Sequence, residues 1–125
     1  MHESELSYLI RDAIFRVYDT LGPGLLATAY EAALAYELSE LDLIVAKHVP
    51  LPLIYNSVRL ETGYRIDMLV NNRIILAIKS VDTLTEVHHQ QVVTYLKLAN
   101  LRLGLLINFN VSDISKGIFR KVNSL

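Results

Sequence analysis

Apolar residues in the first third of the chain recur at intervals of three and four, the spacing that gathers side chains on one face of an α-helix. A first helix is predicted over residues 4–21, with the apolar stripe Leu6, Leu9, Ile10, Ala13, Ile14, Val17 and Leu21. A second is predicted over residues 25–41, with the stripe Leu26, Ala29, Tyr30, Ala33, Leu34, Leu38 and Leu41. Because Gly22-Pro23-Gly24 interrupts the helical pattern, the two helices are expected to form a tight hairpin.

The periodicity then changes to that of extended chain. It predicts three strands joined by turns, over residues 44–55, 58–70 and 73–81. Pro50 and Pro52 lack the N–H of a strand interior, which favours an edge position for the first strand. Asn56-Ser57 and Asn71-Asn72 are typical hairpin turns, so neighbouring strands should run antiparallel. The apolar run at 74–78 suits a central strand that is buried on both faces.

A third helix and one further strand complete the predicted order. Thr85 can cap a helix that runs to about residue 100, with Glu86 near its positive end. Residues 101–108 form a buried strand, reached by a crossover and therefore expected to be parallel to its neighbour. Residues 117–123 could add a short last strand. The order α-α-β-β-β-α-β predicts an α/β fold with a mixed sheet flanked by helices.

Length and composition limit the function classes. A chain of 125 residues fits one domain, here expected to span residues 1–125. A hydrophobic content of 52% predicts either a large core or an apolar surface that a protein partner covers. That partner could be a second copy of the chain, which would make the protein a homodimer. The net charge of −1 argues against tight, sequence-independent binding to nucleic acid but allows a local basic patch. Without cysteine, the chain can hold no disulfide, iron–sulfur cluster or thiolate zinc site.

The apolar segments also bear on location. None approaches the roughly 20 residues that span a bilayer. The first residues, which include Glu3 and Glu5, carry acidic charge where a signal peptide would carry positive charge. The expected location is the cytoplasm.

Polar residues with catalytic chemistry fall at corresponding places in the predicted hairpin. Asp67 lies late in the second strand and Lys79 late in the third, so Asp67 and residues 77–79 should lie side by side. Ala77 and Lys79 share one face of their strand because side chains alternate with period two. Gln91 and Tyr95 lie four residues apart on one face of the third helix.

These residues resemble the RecB-like branch of the PD-(D/E)XK nucleases. The resemblance rests on Asp67, on the Ala77-Ile78-Lys79 segment and on the Gln-x-x-x-Tyr spacing of Gln91 and Tyr95. Residues 24–31 are similar to the motif that names the GxxExxY family, and segments 51–53, 63–67 and 104–109 also resemble that family. The resemblance covers nearly the whole chain. It implies a restriction-endonuclease-like core and hydrolysis of phosphodiester bonds in nucleic acid, with DNA as the expected substrate and Mg²⁺ or Mn²⁺ as the cofactor.

Two positions depart from the family pattern, because Ala27 and Ala77 stand where it has glutamate. In the superfamily, the strand aspartate, these glutamates and the carbonyl of the middle residue of the third motif hold the metal, and the lysine stabilises developing charge. The chain keeps Asp67 and the Ile78 carbonyl as metal ligands, so weak metal binding is expected. Glu61 cannot substitute, because six residues of strand place it about 20 Å from Asp67.

The resemblance also implies substrate contacts, which we expect from Tyr30, Tyr64, Arg65 and His88. His88 and its neighbour His89 are poor joint metal ligands because adjacent helical side chains point about 100° apart. Each site residue also has a simpler interpretation. A strand aspartate can be a structural hydrogen-bond acceptor, a lysine at a strand end can be a solvated charge, and two polar residues on a helix can be a surface pair.

Three functions from different classes remain open. The first is a nuclease whose two glutamates were replaced deliberately, which the intact Asp67, Lys79, Gln91 and Tyr95 favour. The second is a natural pseudo-nuclease that binds nucleic acid or a protein without cutting. The third is an assembly subunit with an apolar surface that reuses the fold. We rank them in that order.

Overall fold

The computed structural model describes residues 1–124, and residue 125, the last of the predicted domain, lies outside the described residues. The helices within 1–124 are α1 (Glu3–Leu21), α2 (Ala27–Glu40), α3 (Glu86–Ala99) and a short 3-10 helix, Ile114–Lys116. The strands are β1 (Val45–Pro50), β2 (Leu53–Tyr55), β3 (Val58–Leu60), β4 (Arg65–Val70), β5 (Ile74–Lys79), β6 (Leu103–Asn108) and β7 (Ile118–Val122). Across this part of the chain, no helix combines the length and apolar character that a membrane crossing requires.

Five of the strands form one mixed sheet in the order β1-β4-β5-β6-β7. The prediction of a central, buried strand is confirmed for β5, which pairs antiparallel with β4 and parallel with β6. The edge position of β1 and the short last strand, β7, are confirmed as well. Asn71 and Asn72 both have positive φ, 52° and 55°, as the central residues of a tight turn, and the Arg73 N–H donates to the Val70 carbonyl at 3.0 Å. Together with Arg73 they form a three-residue loop, so that Val70 of β4 pairs with Ile74 of β5.

The two predicted strands at 44–55 and 58–70 are wrong in length, since each is divided into two. Their inner parts, β2 and β3, form a separate two-stranded sheet around the positive-φ turn at Asn56-Ser57. The Leu51 N–H donates to the Tyr64 carbonyl at 2.9 Å, one step beyond the Pro50–Arg65 pair, and Pro52, which cannot donate to a ladder, follows where this pairing ends. On the other strand, Gly63 with φ +80° lies between β3 and β4.

The helices cover the sheet on both faces. α1 and α2 pack on one face, where the fully buried residues include Leu6, Ile10, Ile14, Leu34, Leu38, Met68, Leu76 and Ile107. α3 packs on the other face through Val92 and Leu96, against Ile75 and Leu106. Side chains of β5 therefore alternate between the two cores, and Ala77 lies on the face that α3 covers.

Asn108 ties the end of β6 to the chain that leaves β5. Its side chain is buried, and its amide group donates to the Val81 carbonyl at 2.9 Å. Its Oδ1 atom accepts from the N–H of Val81 at 3.1 Å and from the N–H of Asn110 at 3.2 Å. Since Asn108 also pairs with Lys79 in the parallel ladder, these bonds hold the segment that follows Lys79.

Asn108→Ala should lower the free energy of unfolding by about 1–3 kcal/mol, because the polar groups of Val81 lose their partner. Urea denaturation followed by circular dichroism measures the change. Asn110→Ala is the control, since that side chain donates to the exposed Asp82 carboxylate at 3.3 Å, and it should cost less than about 0.5 kcal/mol. An equally small effect of Asn108→Ala would contradict the structural role given to this residue.

Candidate active site

A pocket of about 180 Å³ opens between β4, β5 and α3. We call it the Asp67 pocket. It brings together six residues that the sequence had singled out, together with three apolar neighbours: Arg65, Asp67, Ile75, Leu76, Ala77, Lys79, Gln91, Val92 and Tyr95. The strands supply the charged residues and the helix supplies Gln91 and Tyr95, one helical turn apart.

The hairpin register positions Asp67 in this pocket. Asp67 lies one residue beyond the Met68–Leu76 pair, which places it across from Ala77. Its Oδ2 atom accepts a hydrogen bond from the Ile78 N–H at 2.9 Å, so the carboxylate is fixed against β5. Position 77, where the pattern of the resembled family has glutamate, thus carries a methyl group that faces Asp67 across the ladder.

The positive charge of Lys79 is available to a ligand in the pocket. Within residues 1–124, Lys79 forms no salt bridge, although its side chain is half-buried beside Asp67. Burial raises the pKa of the Tyr95 hydroxyl, and the negative charge of Asp67 and the neighbouring Tyr64 raise it further. Tyr95 therefore remains a neutral hydrogen-bond donor at physiological pH.

Tyr30, expected to contact substrate, lies in the core instead. Its ring is fully buried and stacks on Phe109, with 4.4 Å between ring centroids and an interplanar angle of 3°. Its hydroxyl donates to the Gly22 carbonyl at 2.5 Å and accepts from the Leu25 N–H at 3.1 Å. The side chain fixes the turn between α1 and α2 and has no surface to offer a ligand.

His88 lies outside the Asp67 pocket and caps α3. Its Nδ1 atom accepts from the Thr85 N–H at 3.0 Å, and the Thr85 side chain in turn accepts from the backbone of His88. This reciprocal pair satisfies two of the free N–H groups at the helix start. A substrate contact by His88 stays a prediction, and it would compete with this cap.

Ala27 is the first residue of α2 and is not among the residues that line the Asp67 pocket. Its helix belongs to the layer on the opposite face of the sheet. The chain just before α2 nevertheless meets the end of β5, where the Ser80 hydroxyl donates to the Leu25 carbonyl at 2.5 Å. The chain two residues before position 27 thus contacts the residue that follows Lys79, and a role of position 27 in the site stays a prediction.

One acidic residue near the site was missed from the sequence. Glu31 is 8% exposed, and its Oε1 atom lies 2.8 Å from Nε2 of His48. His48 lies in β1 between residues that pair with those on either side of Asp67, and its φ of +54° is unusual for a non-glycine residue. Glu31 follows position 27 by one helical turn, and that spacing could have revealed it.

Burial raises the pKa of Glu31 above the usual glutamate value of 4.5. His48 opposes this shift, the negative charge of Asp67 adds to it, and Lys47 opposes it. His48 lies opposite Asp67 in the β1–β4 ladder, so its contact with Glu31 places this carboxyl group beside the strand pair that carries Asp67. Glu31 therefore belongs to the surroundings of the site, but as a group already paired with His48.

The residues present do not fit a divalent metal. Magnesium and manganese are held mainly by carboxylate oxygens, and Asp67 is the sole carboxylate that lines the pocket. Its Oδ2 atom already accepts a hydrogen bond from the Ile78 N–H, and the Glu31 carboxyl group is paired with His48. Among the described residues, no group of three or more histidine, cysteine, aspartate or glutamate side chains is placed to hold a metal ion.

A family model described as the PD-(D/E)XK nuclease superfamily matches residues 4–121. The chain belongs to this superfamily. Its α/β fold, with helices on both faces of a mixed five-stranded sheet, is the one that the sequence predicted. The superfamily generally uses Mg²⁺ or Mn²⁺ and acts on nucleic acid. No curated protein and no solved structure gives a significant match.

The raised pKa of Glu31 predicts a pH-dependent term in stability. Folded Glu31 binds its proton more tightly than the unfolded chain does, so this residue should lower the free energy of unfolding as pH rises from 4.5 through its raised pKa. Glu31→Gln removes the titration, so the variant should gain stability relative to the wild type over that window. Urea denaturation at several pH values measures the difference.

Glu5→Gln is the control, because this exposed side chain of α1 forms no hydrogen bond or salt bridge within residues 1–124, and its substitution should leave the shape of the stability profile unchanged. If the Glu31→Gln and wild-type profiles run parallel from pH 4.5 upward, the environment assigned to Glu31 is wrong.

Proposed function

We propose that the chain is a nuclease-like domain that binds nucleic acid, with DNA as the first expectation, and does not cleave it. The observation that carries the proposal is the composition of the Asp67 pocket. It keeps Lys79, Gln91 and Tyr95 around Asp67, yet Ala77 faces Asp67 where the family pattern has glutamate. The phosphate-binding part of the site is present and the metal-binding part is incomplete.

Binding rests on charges and donors that the chain supplies itself. Lys79 and Arg65 provide two positive charges against the single negative charge of Asp67, which favours a phosphate group. The Gln91 amide and the Tyr95 hydroxyl add neutral donors for phosphate oxygens. Cleavage in the superfamily needs a metal to activate water and to neutralise the phosphate, and this pocket lacks the carboxylates for it.

The finer assignment to the GxxExxY family and the RecB-like branch belongs to the same proposal. Residues 24–31, Asp67, Lys79 and the Gln91–Tyr95 spacing support it. Alanine at positions 27 and 77 fits either a deliberately inactivated nuclease or a natural pseudo-nuclease, and both bind without cutting.

A protein partner or a second copy of the chain is the second candidate. The hairpin of β2 and β3 supports it, because Ile54, Tyr55 and Val58 are each more than half exposed there. Two-stranded hairpins are marginally stable alone, and exposed apolar side chains of this kind often mark interaction surfaces.

Restoring the carboxylates tests the proposal. The wild type should cleave neither DNA nor RNA, whereas Ala27→Glu combined with Ala77→Glu should cleave DNA in the presence of Mg²⁺ or Mn²⁺. Ala77→Glu alone should recover more activity than Ala27→Glu alone, since position 77 lies in the pocket and position 27 approaches from α2. Gel analysis of labelled single- and double-stranded DNA and RNA, with metal or chelator, measures cleavage.

Two controls make this result specific. Ala32→Glu adds a carboxylate to the exposed face of α2 and should produce no cleavage. Adding Lys79→Ala to the restored enzyme should reduce its rate by roughly 10²–10³-fold, as expected for a lost charge contact in the transition state. A double variant that folds and binds metal but cuts nothing would contradict the nuclease-like assignment of the pocket.

A further inference from the structure

An apolar groove of about 290 Å³ runs along α3 beside the Asp67 pocket. We call it the Tyr64 groove. Its lining consists of one stripe of α3, with residues spaced by three and four, and one residue that precedes β4: Val87, Gln90, Gln91, Thr94, Tyr95 and Tyr64. Gln91 and Tyr95 also line the Asp67 pocket, so the two cavities are neighbours that share these two side chains.

The groove exposes flat apolar surface to solvent. Tyr64 is 49% exposed and tilts over Tyr95, with 5.9 Å between ring centroids. Val87 is 73% exposed at the start of α3. The Tyr64 backbone is fixed through its carbonyl, which accepts from Leu51 at 2.9 Å. The main chain at Tyr64 is therefore fixed, while the ring contacts Tyr95 and remains about half exposed to solvent.

The surfaces of the groove and the pocket together are complementary to one type of ligand. Arg65 follows Tyr64 directly and lines the Asp67 pocket with Lys79, so a flat apolar surface adjoins a cationic one. Gln90 and Gln91 place amide donors and acceptors between the two. A ligand with a flat ring that carries polar edges, joined to an anionic group, matches this arrangement, and a nucleotide unit has these parts.

We infer that the Tyr64 groove binds an unpaired nucleobase whose neighbouring phosphate lies in the Asp67 pocket. This inference rests on the proposed function and specifies its substrate as single-stranded nucleic acid or a frayed duplex end. A base inside a duplex stacks on its neighbours on both faces, so it has no free face for Tyr64, whereas an unstacked base does. The chain should accordingly prefer single strands to duplexes.

Fluorescence anisotropy tests the preference, with a labelled DNA strand of about 15 nucleotides, alone and as a blunt duplex, at fixed salt. The wild type should bind the single strand more tightly. Tyr64→Ala should weaken single-strand binding about 5- to 150-fold, the usual loss for one stacked base, and Tyr64→Phe should retain it. Val87→Asp, which places a negative charge in the groove, should weaken binding as well.

Two controls separate stacking from structural damage. Tyr8→Ala removes an exposed tyrosine from α1, on the opposite face of the sheet from α3, and should bind like the wild type. An abasic strand of the same length carries the same phosphates without bases, so Tyr64→Ala should bind it as tightly as the wild type does. A loss of affinity for the abasic strand would instead indicate damage to the phosphate site and would overturn the inference.

The remaining outcomes distinguish the inference from the proposed function. If Lys79→Ala weakens binding and Tyr64→Ala does not, the pocket binds phosphate but the groove binds no base, and the inference alone fails. If the wild type binds neither the single strand nor the duplex, the proposed function fails with it, and a peptide becomes the remaining occupant for the groove.

Discussion

The register of β5 is the constraint on which the site depends. As the central strand, β5 pairs antiparallel with β4 and parallel with β6, so its register is fixed from both sides. Asp67 therefore lies across from Ala77, and Asn108 lies beside Lys79. A slip of one residue would turn Ala77 and Lys79 to the opposite core and separate them from Asp67. The buried apolar residues of β5 make such a slip costly, so the core that stabilises the fold also assembles the pocket.

Local chemistry explains how much of this could be predicted from the sequence. The turn at Asn71-Asn72 and the alternation of β5 are local features, and they predicted that Asp67 lies beside residues 77–79. The exact pairing of Asp67 with Ala77 depends on Arg73 as the third residue of the loop, which the sequence pattern did not predict. The division of the 58–70 strand was not predicted, although Gly63, with φ +80° between β3 and β4, is a local feature that favours a break. Glu31 was missed although it follows position 27 by one helical turn, because its partner His48 lies on another element.

The pocket separates two properties that the superfamily usually combines. Binding of a phosphate needs positive charge and donors, which Lys79, Arg65, Gln91 and Tyr95 can provide. Holding a divalent metal needs several carboxylates in one place, and Asp67 is the one carboxylate among the residues that line the pocket. On the proposed function, the fold and the phosphate-binding groups are kept, whereas the carboxylates that would hold the metal are absent at positions 27 and 77.

Calorimetric titration with MnCl₂ tests this account most directly, because it measures the metal site without relying on cleavage. The account predicts no saturable binding to the wild type below millimolar metal, and clearly tighter binding to the variant with Ala27→Glu and Ala77→Glu. One stoichiometric site of micromolar affinity in the wild type would contradict it, since Asp67 and its neighbours would then form a metal site without the two glutamates.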